Sequence, residues 1–108
     1  MTYRPHHPRT DANQSEIRAD LVACGFPHVW CDVSSLPVRL AGVDVYVYAY
    51  SCRHGRVMCL PVEIKMPREN LNENERKFWA EVAELGGGGD IPLKAEYAED
   101  ILRWFGRP

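Results

Sequence analysis

Hydrophobic and polar residues alternate most clearly over positions 43–50, where Val43, Val45, Val47 and Ala49 interleave with Asp44, Tyr46, Tyr48 and Tyr50. A period of two is that of a β-strand with one face buried. The aliphatic face suits a core, and Asp44 opens a face carrying three tyrosines. Arg53, His54 and Gly55 then read as a turn, with Gly55 free to take a positive φ. The chain returns over 56–65 as the second strand of an antiparallel hairpin. Met58, Leu60, Val62 and Ile64 form one face of that strand; Cys59, Pro61, Glu63 and Lys65 form the other. Pro61 cannot donate to a strand ladder, which predicts a bulge or an edge near it.

The flanking segments are helical or turn-like. Ile17, Leu21 and Cys24 recur at helical spacing, Asp11 or Asn13 can cap them, and Gly25 with Pro27 stops them, so a helix is predicted from Asp11 with those three on its core face. Residues 28–33 read as a short strand and 34–42 as a loop. Pro67 and Asn70 mark a break before a second helix over 72–85, with an apolar stripe of Phe78, Val82 and Leu85. The glycines at 86–89 end it. A last short strand over 90–94 and a closing helix over 96–105 complete the chain. The order α-β-β-β-α-β-α predicts an α/β domain with a mixed sheet flanked by helices.

A chain of 108 residues has room for one core, so any site must be built on it. Residues 1–10, with Pro5, Pro8, His6 and His7, read as a flexible arm, and 11–108 as a single domain. No apolar run approaches the ~20 residues of a membrane span, and the first ten residues lack the apolar stretch of a signal peptide. A cytoplasmic protein is expected. Cys24, Cys31, Cys52 and Cys59 match neither a zinc knuckle nor a dense disulfide framework, and read as buried free thiols. The net charge of −2 offers no general attraction for a polyanion, so binding one would need a local basic surface. Arg4, Arg9, Arg53, His54, Arg56, Lys65, Arg68, Arg76 and Lys77 are the candidates for it.

Hydrolysis of a phosphodiester needs neutralised phosphate charge, an activated water and help for the leaving oxygen, much of which a Mg²⁺ held by two carboxylates supplies. Asp44 and Glu63 lie on the two strands of one hairpin, and Lys65 projects to the same side as Glu63. An amine there can orient or deprotonate the attacking water and stabilise growing negative charge. By spacing alone, such residues are more often a surface ion pair on a solvated strand than a catalytic set.

Several segments in order carry a resemblance. Asp11-Ala12-Asn13-Gln14-Ser15-Glu16-Ile17, Gly42-Val43-Asp44-Val45, Val62-Glu63-Ile64-Lys65, and Leu71 with Glu75 and Phe78 resemble the opening helix, G-x-P-D segment, E-x-K strand and L-x-x-x-Q-x-x-F helix of compact PD-(D/E)XK nucleases. Those nucleases stand near the VRR-NUC and archaeal Holliday junction resolvase groups, so a bacterial, archaeal or phage source is expected. Val43 stands where that family usually has Pro, and Glu75 where Gln is frequent. The likeness implies a restriction-endonuclease-like core. It further implies that Asp44, Glu63 and the backbone carbonyl of Ile64 bind Mg²⁺ or Mn²⁺, that Lys65 handles the water, and that Glu16 supports the metal.

The tyrosines at 46, 48 and 50 read first as packing under a helix, and second as a surface for bases or phosphates. Trp79 and Trp104 read as packing or a dimer contact. Arg53, Arg56, Arg68 and Glu75 are candidate substrate contacts. Two functions follow as expectations. One is a homodimeric, metal-dependent DNA endonuclease, whose most concrete version is structure-specific for branched DNA such as a Holliday junction. The other is a non-catalytic nucleic-acid-binding or protein-interaction module that keeps the fold.

Overall fold

The computed structural model describes residues 12–33, 42–86 and 90–107. The predicted arm at 1–10, with its two histidines, and most of the predicted loop lie outside them. Seven elements run in the expected order: α1 (Ala12–Ala23), β1 (Val29–Asp32), β2 (Val45–Ser51), β3 (Arg56–Ile64), α2 (Glu73–Glu84), β4 (Leu93–Ala95) and α3 (Ala98–Trp104). The four strands form one mixed sheet in the order β1-β2-β3-β4. β2 pairs antiparallel with β1 and β3, whereas β4, reached through α2, pairs parallel with β3. The protein is thus a small α/β domain, with three helices among the described residues.

The alternation over β2 and β3 sorts the sheet into two unlike faces. Val45, Val47, Ala49, Leu60, Val62 and Ile64 point into the core with Ile17 and Leu21 of α1 and Ile101, Trp104 and Phe105 around α3. Removing that much aliphatic and aromatic surface from water is what holds α1 and α3 on this side. No helix among the described residues is long and apolar enough to cross a membrane.

Among the described residues, the opposite face is covered at one end, by α2. This corrects two expectations. No residue of α2 is buried, and Leu85, assigned to its apolar stripe, is 87% exposed. Tyr48 and Tyr50 are exposed rather than packed under a helix. The helix instead docks through particular contacts: Trp79 Nε1 donates to the carbonyl of Gly42 at 3.0 Å. A Cβ at Gly42 would stand 2.8 Å from the Phe78 ring, and Gly42 has φ +81°, so glycine is needed there twice over.

The thiols are also corrected. Cys24, Cys52 and Cys59 are exposed and Cys31 half-buried, all four unpaired. Cys31 and Cys59 fall on the outward side of the sheet by register, beside Tyr46 and Tyr48. Cys24 follows the last residue of α1 and so leaves the core stripe of Ile17 and Leu21. The closing helix starts at Ala98 rather than 96, because the Asp100 carboxylate accepts the N–H groups of Glu96 and Tyr97 and turns the chain there. Pro61 sits on β3 just before β4 begins to pair, at Val62, so its missing N–H interrupts no ladder between those two strands.

Candidate metal and catalytic site

At the end of the sheet under α2, the ladder between β2 and β3 breaks its regular count. Val45 pairs with Val62, yet the N–H of Asp44 also reaches the Val62 carbonyl, at 2.8 Å. Two residues thus stand against one, the arrangement of a β-bulge. The Asp44 carboxylate then accepts the N–H of Ile64 at 2.8 Å, which pins it above the strand that carries Glu63. Lys65 N donates to Ala95 O on the other side, so β4 holds the strand's position as it leaves the sheet.

Glu63 is 4% exposed although it lies on the outward face. It sits within hydrogen-bonding reach of both Asp44 and Glu75. Lys65 Nζ stands 3.6 Å from Glu63 Oε2 and 3.0 Å from Glu75 Oε1. Glu75 arrives from the first turn of α2, where it completes a capping box: its carboxylate accepts the Asn72 N–H at 2.8 Å while Asn72 Oδ1 accepts the Glu75 N–H at 2.9 Å. Four charged groups, three acidic and one basic, share one partly buried end of the sheet.

Electrostatics follow from that excess of carboxylates. Burial, then the Asp44 charge, then the hydrogen bond and charge of Glu75 push the Glu63 carboxyl up to about 9. Burial also raises Asp44, against the Ile64 N–H and the hydrogen bond from Glu63. Desolvation disfavours the Lys65 ammonium, but the hydrogen bond and charge of Glu75, with the Glu63 charge, outweigh it and lift its pKa above the ordinary value. Glu75 moves the other way: burial would raise it, but the Asn72 N–H and the hydrogen bonds with Glu63 and Lys65 hold it below the usual carboxylate range.

The structure therefore brings Asp44, Glu63 and Lys65 together and adds Glu75 to them. Glu16 is exposed on α1. Of α1, buried Gln14 reaches this end of the sheet, its Nε2 donating to Asp32 Oδ1 at 2.8 Å, and so does buried Asn13, whose Nδ2 donates to the carbonyls of Lys65 at 2.7 Å and Glu96 at 3.3 Å. Its capping residue type was visible in the sequence; its bond across 52 positions was not. Arg53 and Arg56 flank the hairpin turn at the far end of β2 and β3, about 20 Å from the acids at ~3.3 Å per strand residue. Arg53 is engaged there with Asp90 at 3.0 Å and lies over the Trp104 ring. Arg68 is exposed in the turn after Lys65, at φ 73°. Lys94 pairs in register with Glu63 across β3 and β4, a neighbour that sequence reasoning missed because β4 joins the sheet only through the crossover.

The donor set is one of hard oxygens. Among the described residues no three His, Cys, Asp or Glu side chains are arranged around a common metal position. Mg²⁺ commonly takes only one or two protein carboxylates and completes its octahedron with water and phosphate oxygens. The paired Asp44 and Glu63 fit that demand, and a cation beside them would relieve the crowding that keeps Glu63 protonated. Comparison of the chain with family models, curated proteins and solved structures returned no match.

Proposed function

We propose that this protein is a Mg²⁺- or Mn²⁺-dependent nuclease hydrolysing DNA phosphodiester bonds, with a restriction-endonuclease-like core. The observation that carries the reading is the bulge that sets Asp44 against the Glu63 strand, with Lys65 reaching back to Glu63 and an excess of buried negative charge around them. A surface ion pair would not bury its glutamate or crowd three acids round one lysine.

Each residue then has a role set by its surroundings. Asp44 and Glu63, with the carbonyl of Ile64, are the groups that would hold the ion. When bound, such an ion neutralises the phosphate oxygens and lowers the pKa of an attached water. Lys65 stays an ammonium at neutral pH, because Glu75 and Glu63 raise its pKa. It is therefore suited to bind a phosphate oxygen and steady the charge of the transition state rather than to take a proton. Glu75 keeps that ammonium aimed at the site, and Asn13 holds the carbonyl of Lys65 itself. Asp44 takes its position from the Ile64 N–H at 2.8 Å, with Glu63 within hydrogen-bonding reach.

A homodimer is part of the reading, since one small domain offers little surface for a duplex and a twofold pair places two sites on two strands. The test is incubation of the purified protein with labelled single-stranded, duplex and branched DNA, and with RNA, in Mg²⁺ or Mn²⁺. Cleavage by the wild type that is lost in Lys65→Ala supports the reading. Absence of cleavage on every substrate leaves the competing one, a binding module in which Lys65 merely pairs with Glu63 and Glu75.

A further inference from the structure

On the outward face of the sheet, beyond the acids, the described residues form a surface with no charged side chain. Tyr46, Tyr48 and Tyr50 run along β2 from Asp44; Val57 and Cys59 flank them on β3 and Val29 on β1, opposite Tyr50, Tyr48 and Tyr48 in turn. Tyr48 is 43% exposed, Tyr50 50%, Val29 63% and Val57 66%. Tyrosine burial elsewhere in folded proteins hides large apolar rings, so an open row of them on a rigid sheet is a surface kept for contact.

We infer that this tyrosine face is the binding track for an unpaired nucleic-acid strand, whose bases lie on Tyr48 and Tyr50 while a phosphodiester further along reaches Asp44 and Glu63. The inference rests on the nuclease reading for the identity of the neighbouring site, and the face is continuous with that site along a single strand.

Spacing and charge select the occupant. Residues i and i+2 of a strand stand about 6.8 Å apart, twice the ~3.4 Å rise of bases stacked in a duplex. Rings at that interval match bases separated from one another, which is how single strands are held on aromatic side chains. A duplex would instead have to be gripped by its phosphates, and that mode needs a track of Lys and Arg. The outward positions of β2 past Asp44 are tyrosines only, and the whole chain carries a net charge of −2. The bases of a single strand are free to stack on the rings, an attraction that a duplex, whose bases are already stacked on one another, does not offer.

The experiment is fluorescence anisotropy of labelled oligonucleotides of equal length, as single-stranded DNA, single-stranded RNA and blunt duplex, in Ca²⁺ and without added metal. The proteins are the wild type, Tyr48→Ala, Tyr50→Ala and Tyr48→Phe, each checked by circular dichroism and thermal melting. Single strands are expected to bind more tightly than duplex, with each Ala variant losing roughly tenfold in affinity and Tyr48→Phe retaining it, because the ring carries the contact. The DNA and RNA arms show which backbone is accepted. Equal or tighter duplex binding, or Ala variants that bind as wild type, overturns the inference whatever the cleavage result. So does self-association of the free protein that the Tyr50→Ala variant abolishes, since the face would then be covered by a second copy. Tyrosine-dependent binding of single strands without cleavage in Mg²⁺ upholds the inference and removes the nuclease reading instead.

Discussion

Glu75 Oε1 lies 3.0 Å from Lys65 Nζ, and the same oxygen accepts the N–H of Asn72. One carboxylate thereby caps α2 and restrains the lysine of the site, so the docking of a helix and the geometry of four charges are a single arrangement. Replacing Glu75 with Gln keeps an acceptor for the Asn72 N–H but removes a negative charge. The midpoint of Glu63 then falls from about 9, by loss of the Glu75 charge and hydrogen bond, as followed by carboxyl ¹³C shifts. Glu75→Ala loses the capping bond as well and destabilises α2 by about 1 kcal/mol, read as a lower thermal midpoint.

Glu63 sets how stability responds to pH in metal-free protein. Its carboxyl titrates near 4.5 when unfolded and at about 9 when folded, so between those values the folded state holds a proton the unfolded chain has lost. The contribution of Glu63 is full below pH 4.5 and declines toward pH 9, by at most about 1.4 kcal/mol per pH unit. Asp44, also raised, acts in the same direction. Thermal midpoints measured from pH 5 to pH 8.5 are expected to fall in the wild type and to stay nearly level in Glu63→Gln.

Gly42 tests the seating of α2. Its φ of +81° and the 2.8 Å approach of a Cβ to the Phe78 ring mean that Gly42→Ala must move the helix. The expected cost is about 1–3 kcal/mol. Because Glu75 rides on that helix, cleavage should fall further than stability predicts. An alanine variant as stable and active as wild type would show that α2 does not position the site.

Lys65 and Asp44 separate chemistry from folding. Lys65→Ala is expected to lower the cleavage rate by on the order of 10²–10⁴-fold, the range for a group acting on a reacting proton or charge. Asp44→Asn retains an oxygen for the Ile64 N–H and should melt near wild type, yet lose divalent-ion binding and cleavage together. Rates and melting curves on the same preparations distinguish the two effects.

Much of this was legible in local pattern. The alternation of Val and Tyr over β2 fixed one strand and its two faces, Gly55 at φ 71° closed the hairpin, and the parity of Glu63 and Lys65 put them on one side. Which face the helices would cover was not legible, because a strand of alternating aliphatic and aromatic residues offers two apolar faces. Tyr48 and Tyr50 therefore read as packed, and the thiols beside them as buried. Glu75 was marked in the sequence but not its place against Lys65, since the bonds that seat α2 join Trp79 to Gly42 and Glu75 to Lys65 across the crossover. Helical periodicity speaks only to a helix's own faces; α2, with no buried residue, is positioned by those few contacts.

The claim on which the rest depends is that Asp44 and Glu63 jointly hold one divalent cation. Titration of the wild type, Asp44→Asn and Glu63→Gln with Mn²⁺, following free Mn²⁺ by electron paramagnetic resonance, tests it most directly. The account predicts a site in the wild type that either substitution abolishes. No binding by the wild type, or binding that survives both substitutions, would contradict it.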